Sequence, residues 1–196
     1  YRRTRLWIRF QMSYDPEGSV FNPEPPAATR DLLSRALNVA LLNRATFRDV
    51  SDDAGANAQV YGLVGVAAVA SAIGSIDDPG IAISNAILVV AGWLIYAHVA
   101  SFMRGVLFDS IHADVSREGM IRVVGIAYGP TLLRAFAIIP VIGGVIWLLS
   151  TIWFLVVVAV GLKTTLAFDN YWPAVGIIVV GALVNGIVSL IVFGVP

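Results

Sequence analysis

The sequence predicts an all-α integral membrane protein: five transmembrane helices preceded by an amphipathic helix lying in the membrane interface. Three observations predict it. Five apolar stretches follow one another after residue 56. Each is close to the roughly 20 residues that a helix rising about 1.5 Å per residue needs to cross a hydrocarbon core about 30 Å thick. Apolar residues make up 58% of the chain and charged residues 13%, with a mean hydropathy of +0.80. That charged share is about half of the ~25% usual in soluble domains. Finally, the basic residues are confined to alternate connections between the stretches.

Residues 1–28 read as a polar tail. Pro23, Pro25 and Pro26 deny it a regular helix. Residue 1 is Tyr, so a processed chain or an upstream start is expected. The basic opening leads into polar sequence, without the apolar centre of a signal peptide. Residues 29–50 read as one helix with Thr29 as its cap. Leu33, Leu37, Ala40 and Leu41 share a face, and Arg30, Ser34, Arg35 and Asn38 lie opposite. Asp31 stands four before Arg35, a helix-compatible pair. The segment is too polar to span. It is expected in the headgroup plane, with the leucines toward lipid and Arg35 toward water.

Residues 51–196 read as the transmembrane domain, with spans at about 57–76, 81–103, 120–139, 142–162 and 171–195. Asp77-Asp78-Pro79-Gly80 and the turn from Pro140 to Gly144 are short, so each joins an antiparallel helical pair. The connection 104–119 is longer and has room for an interfacial helix. Pro130 is expected to kink span three. Gly125 and Gly129, Ala70 and Gly74, and Ala182 and Gly186 are small residues four apart, a spacing that lets helix backbones approach in lipid. Packing within the chain is the expected use of these pairs.

Of thirteen Lys and Arg residues, eight precede span one, Arg104, Arg117 and Arg122 lie around the second connection, and Lys163 lies in the fourth. The first and third connections have none. The positive-inside rule therefore predicts a cytoplasmic N-terminus and an external Pro196. Net charge is zero, so nothing points to nucleic acid. There is no cysteine, which excludes disulfides, thiolate metal sites and cysteine nucleophiles.

A series of short motifs carries a family resemblance. Phe47-Arg-Asp-Val-Ser-Asp-Asp and Ala56-Asn-Ala-Gln lead into a small-residue span ending Ala72-Ile-Gly. Arg104-Gly follows span two. Met120-Ile-Arg-Val-Val-Gly-Ile-Ala-Tyr-Gly-Pro then leads to Ile138-Ile-Pro and Gly143-Gly. Trp153 and Val160-Gly-Leu-Lys-Thr-Thr-Leu-Ala-Phe-Asp precede span five. In this order and frame, residues 40–190 resemble the bacterial branch of the Yip (Ypt-interacting-protein) domain family. The stretch from Gly105 to Asp114 departs from the glycine-rich segment usual there, and Gly161-Leu162 stand where a basic pair is common. The resemblance implies a five-span fold in a bacterial cytoplasmic (inner) membrane, with a cytosolic N-terminus and no established enzymatic activity. Eukaryotic relatives bind small GTPases and shape or sort trafficking membranes.

Few residues carry chemistry. Arg134 sits within span three, where a guanidinium costs roughly 3 kcal/mol or more to insert. It either snorkels to the interface or pairs with carbonyls, or it holds a lipid phosphate, a cofactor carboxylate or an acidic partner. His98 in span two has no second ligand at metal spacing. A hydrogen-bonded structural role is expected, with pigment ligation as the alternative. Asn85 and Asn185 are apolar-span amides expected to hydrogen-bond across helices, at about 0.6–2 kcal/mol each. His112 and the Asp49, Asp52, Asp53 group read as solvated. No catalytic or metal-binding constellation appears, and the spans hold no Asp or Glu. No enzymatic activity and no cofactor are expected, and structural lipid is. Arg134, His98, Asn85 and Asn185 are the candidate lipid- or partner-binding residues. The first functional reading is a non-enzymatic Yip-like adaptor or scaffold binding other membrane proteins or lipids. The alternative is an accessory subunit of a respiratory or photosynthetic membrane protein complex, contacting pigment, quinone or lipid. A small transporter is a third reading.

Overall fold

A computed structural model describes residues 32–107 and 115–194. The predicted tail 1–28, Thr29, Asp31, His112 and Pro196 lie outside them. Among the described residues every regular element is helical, and five helical segments are long and apolar enough to cross a membrane. The chain is therefore an α-helical integral membrane protein in architecture.

Two short helices come first, α1 (Leu32–Ala40) and α2 (Arg44–Asp52). The expected single helix over 29–50 is thus broken. Leu42 takes a positive φ of 63°, and the Asn43 side chain accepts from the Ala45 N–H to start α2. An Asn at this position satisfies a donor that the first helical turn leaves free.

The orientation of α1 also departs from expectation. Leu33, Leu37 and Leu41 are exposed, as their shared face requires. Arg35, expected in water, is only 1% exposed. It faces the bundle because partners wait there: Asp53 at 2.6 Å, Asp49 at 3.5 Å and the Gln59 amide oxygen at 3.0 Å. A buried charge is tolerable when paired and hydrogen-bonded in this way. Ala36, Val39, Phe47 and Val50 join the same core as the spans, so no packing boundary falls near residue 50.

A 3₁₀ turn (Ala54–Ala56) leads into α3 (Asn57–Ile73), the first span. The second, α4 (Pro79–Leu107), opens where the sequence predicts a turn. Asp78 Oδ1 accepts from the Gly80 and Ile81 N–H groups, and Pro79 takes the first helical position, where its missing N–H costs nothing. At 29 residues α4 outlasts the bilayer core.

The third span is α5 (Arg117–Ile126) followed by a ten-residue 3₁₀ segment, Gly129–Ile138. The proline thus changes the helix type over the rest of the span, where a local kink was expected. Pro130 lacks the N–H for a continued α ladder. Tyr128 and Thr131 instead bond three residues back, to Gly125 and Tyr128. Runs of 3₁₀ beyond three or four residues are uncommon. At about 2 Å per residue, the segment also reaches further than an α-helix of equal length.

The span-three to span-four turn holds Val141 at φ 72°. Then α6 (Gly143–Thr165) and α7 (Trp172–Phe193) complete the bundle. Gly125 packs against Val60 of α3 and Trp93 of α4, and Gly74 against the Arg134 carbonyl. These members of the predicted small-residue pairs serve packing within the chain. A Cβ added at Gly186 would meet no atom within 4 Å, so no close approach uses this glycine.

At the end of the bundle where α1 and α2 sit, Arg122 is 5% exposed and ties three elements together. Its Nε donates to the Val50 carbonyl at 3.0 Å, one terminal nitrogen donates to Asn57 Oδ1 at 3.1 Å, and the other to the Ser51 carbonyl. Charge-assisted bonds to the end of α2 satisfy carbonyls that a helix terminus leaves open.

Candidate intramembrane binding site

Spans two to five enclose a cavity of about 300 Å³. Its lining follows helical periodicity. On α4, Asn85, Val89, Gly92 and Tyr96 fall at intervals of four, three and four, one face of the helix. On α6, Trp147, Thr151 and Phe154 do the same. Arg134 and Tyr128 enter from span three, and Asn185 from α7.

Arg134 is four residues from the end of its 3₁₀ segment, about 8 Å deep at the 3₁₀ rise. One terminal nitrogen donates to Thr151 Oγ1 at 3.0 Å, and the guanidinium lies 5.3 Å from the centre of the Trp147 ring. Thr151 passes the bond on, donating to the Trp147 carbonyl at 2.8 Å. The negative face of an indole attracts a cation, and more strongly in a desolvated site. Arg134 Nε is buried without a hydrogen-bond partner, and among the described residues no carboxylate pairs with Arg134.

Asn185 does not make the bond across helices expected of it: its Oδ1 is likewise buried and unpartnered. It comes close to α4 at Gly92, where a side chain would meet the Tyr128 hydroxyl at 3.1 Å and Asn185 Oδ1 at 3.4 Å. The missing side chain at Gly92 keeps this part of the cavity open. Asn85 Nδ2 donates to Ser75 Oγ at 2.8 Å, in the turn that follows α3, where a bond to another helix was expected. Below them the Tyr128 and Phe154 rings pack at 4.5 Å between centroids, and Tyr96 meets Phe154 edge-on at 6.0 Å.

Three of the four candidate residues, Arg134, Asn85 and Asn185, therefore line one cavity. His98 does not. It is exposed on the outer surface of α4, and its Nδ1 lies 2.6 Å from the Leu94 carbonyl of its own helix. Tyr96, Tyr128, Thr151, Trp147 and Gly92 were missed in the sequence. Their helical spacing was visible, but ordinary core residues share it.

The cavity offers a cation, an aromatic wall, amide groups and two phenols, with no acid in its lining. That set complements an anion and supplies neither a nucleophile–base pair nor a carboxylate for proton transfer. A larger groove of about 540 Å³ between the 3₁₀ segment and α6 is lined by Leu133, Phe136, Ile146 and Trp153 among other residues. It presents an apolar face of the kind that acyl chains cover.

Fold and cavity together define a five-span helical membrane protein with a cationic recess inside the bundle. No protein-family model matches the chain, and neither do curated proteins or solved structures.

Proposed function

We propose that this chain is a non-enzymatic, Yip-like membrane adaptor that binds an anionic lipid headgroup in the cavity at Arg134. One observation carries the reading: a half-buried guanidinium, its Nε buried and unbonded, lines a cavity and lacks a carboxylate partner among the described residues. A desolvated cation without a counter-charge is costly. A phosphodiester entering the cavity would supply that charge, with Asn85, Asn185 and Tyr128 nearby for its remaining oxygens. The adaptor part of the reading rests on the motif order that resembles the Yip family and on a lining without catalytic groups. The same resemblance points to a bacterial inner membrane as its setting, and the one-sided basic residues support a cytoplasmic N-terminus.

Native mass spectrometry of protein purified from its membrane tests the reading. The wild type should retain anionic lipid, and Arg134→Leu should lose it while keeping its thermal stability, since the substitution removes an inserted charge. Identical lipid adducts in both proteins would overturn it.

A further inference from the structure

A second cationic recess lies at the other end of the bundle, where α2 meets the end of α6. Arg44 and Arg48 of α2 and Lys163 of α6 line a pocket of about 240 Å³ with Thr164, Ala167 and Phe168. It adjoins a second pocket of about 270 Å³ that shares Arg48, Thr164 and Ala167 and adds Ser51, Asp52, Val115 and Thr165. We propose that these joined pockets form a binding site for a phosphate-bearing anion, and that the Arg134 cavity plays no part in it.

Four observations converge. Arg44 and Arg48 stand at i and i+4 on one helix face, where like charges repel. Lys163 adds a third positive charge from another helix. Among the described residues no carboxylate pairs with any of the three. Asp52 is the one acid in the lining, and it belongs to the adjoining pocket alone. Second, the arginines are exposed and their forks are free to grip a phosphate bidentately.

Third, Thr165 Oγ1 and Ser51 Oγ are buried without hydrogen-bond partners, at 7% and 4% residue exposure. Buried hydroxyls left unbonded are costly, and both belong to residues lining the adjoining pocket. Fourth, Ala167 holds a positive φ of 53° at the mouth of both pockets. A non-glycine residue there stores strain, which clusters at binding sites.

The donors are side chains. The backbone N–H groups of Leu166 and Phe168 are already engaged by the Leu162 and Lys163 carbonyls. Lys163 spends one N–H on the Asp169 carbonyl at 2.9 Å and stacks 4.5 Å from the centre of the Tyr171 ring, which holds its ammonium in place. An ammonium has three donors, so others remain for a ligand. The pocket lies at the end of a membrane span, the depth of headgroup phosphates.

The phosphate has two sources, a lipid headgroup or a soluble anion, and the test separates them. Wild type, Arg44→Gln/Arg48→Gln, Lys163→Gln and Arg117→Gln are reconstituted in nanodiscs. Arg117 is an exposed cation at the same end of the bundle that lines neither pocket, so it controls for surface charge. Spin-labelled phosphatidylglycerol is compared with spin-labelled phosphatidylcholine. In phosphatidylcholine nanodiscs, broadening of the phosphorus resonance of inorganic phosphate is measured. The Arg134 cavity contributes equally to all four proteins, so failure here leaves the proposed function standing, and the reverse.

A phosphatidylglycerol preference that weakens roughly fivefold for each pocket cation removed, and persists in Arg117→Gln, supports the site with lipid as its source. Phosphate broadening that shows the same pattern, with a lipid preference that the pocket variants leave unchanged, supports it with a soluble source. Equal loss in Arg117→Gln, or a lipid preference and phosphate broadening that the pocket variants leave at the wild-type level, overturns the proposal.

Discussion

Arg35 and Asp53 form an ion pair at 2.6 Å that fastens the first described helix to the mouth of the first span. Neither residue lies within a span, and the helix they anchor turns its leucines outward. The apolar face of α1 and the polar latch beneath it are two sides of one device. Asp53 also accepts from the Gly55 N–H at 2.8 Å, so the latch is continuous with the start of span one.

The pair should make docking of α1 acid-sensitive. Burial raises the Asp53 pKa, but the bonds from Arg35 and Gly55 and the charges of Arg35 and Arg122 outweigh it and hold the carboxyl below its ordinary 3.8. A depressed folded-state pKa contributes stability that is fully present above the unfolded value and lost as pH falls through the folded one. Melting in detergent should therefore be flat from neutral pH to about 4.5, and should fall below about pH 4. Arg35→Leu should cost about 3 kcal/mol, because it leaves the carboxylate unpaired. With Asp53→Asn it completes a double-mutant cycle. A coupling below about 0.5 kcal/mol would show the contact to be incidental.

Both loops on the far side should face outward. Reporter fusions at Asp78 and after the fifth span should give external signals, since twelve of thirteen basic residues gather on the opposite side. A cytoplasmic signal at either position rules out this topology.

Two glycines in neighbouring spans should behave oppositely. An alanine Cβ at Gly125 would lie 2.3 Å from Val60 and 2.9 Å from the Trp93 indole nitrogen, which donates to the Ile121 carbonyl. Gly125→Ala should destabilise by about 1–3 kcal/mol. Gly62 meets nothing within 4 Å. Gly62→Ala should be neutral or stabilise by up to about 1 kcal/mol through helix propensity. Equal melting temperatures for the two variants would contradict the packing of spans one, two and three.

The turn between spans three and four should be improvable. Val141 is β-branched, sits at φ 72° and is 99% exposed. Left-handed backbone costs an L-residue about 1–2 kcal/mol, a penalty that glycine escapes. Val141→Gly should raise stability by about 1 kcal/mol, read as a higher melting temperature in detergent. A fall would mean that the turn relies on its side chain.

Much of this was legible in the residues. The five spans were, because hydrocarbon leaves no solvent for backbone groups and so demands long uninterrupted apolar helices. The break at Asp77-Asp78 was, because capping is local chemistry, although Pro79 and Gly80, read as part of the turn, already belong to α4. Arg134, Asn85 and Asn185 stood out because polar groups are rare in spans. The path of α1 was not legible: its polar face matched water as well as it matched Asp53, and only the partner's position distinguishes them. The 3₁₀ run after Pro130 was not legible either, since a proline announces a lost hydrogen bond without saying how far the ladder is rearranged.

By itself the sequence determined the number of spans, their approximate limits and the one-sided distribution of charge, because each depends on residues within about 20 positions and on the bilayer's fixed thickness. Tertiary structure decided which polar residues meet. Arg134 and Asn185 are 51 positions apart, and Arg48 and Lys163 are 115. Both pairs share a pocket only because four helices cross at particular rotations. Those rotations are set by where glycines allow close approach, as at Gly125 and Gly74, and by where buried cations find oxygen atoms, as at Arg35 and Arg122. Hydropathy carries no information about either, because lipid and a neighbouring helix are equally apolar to the residue that faces them.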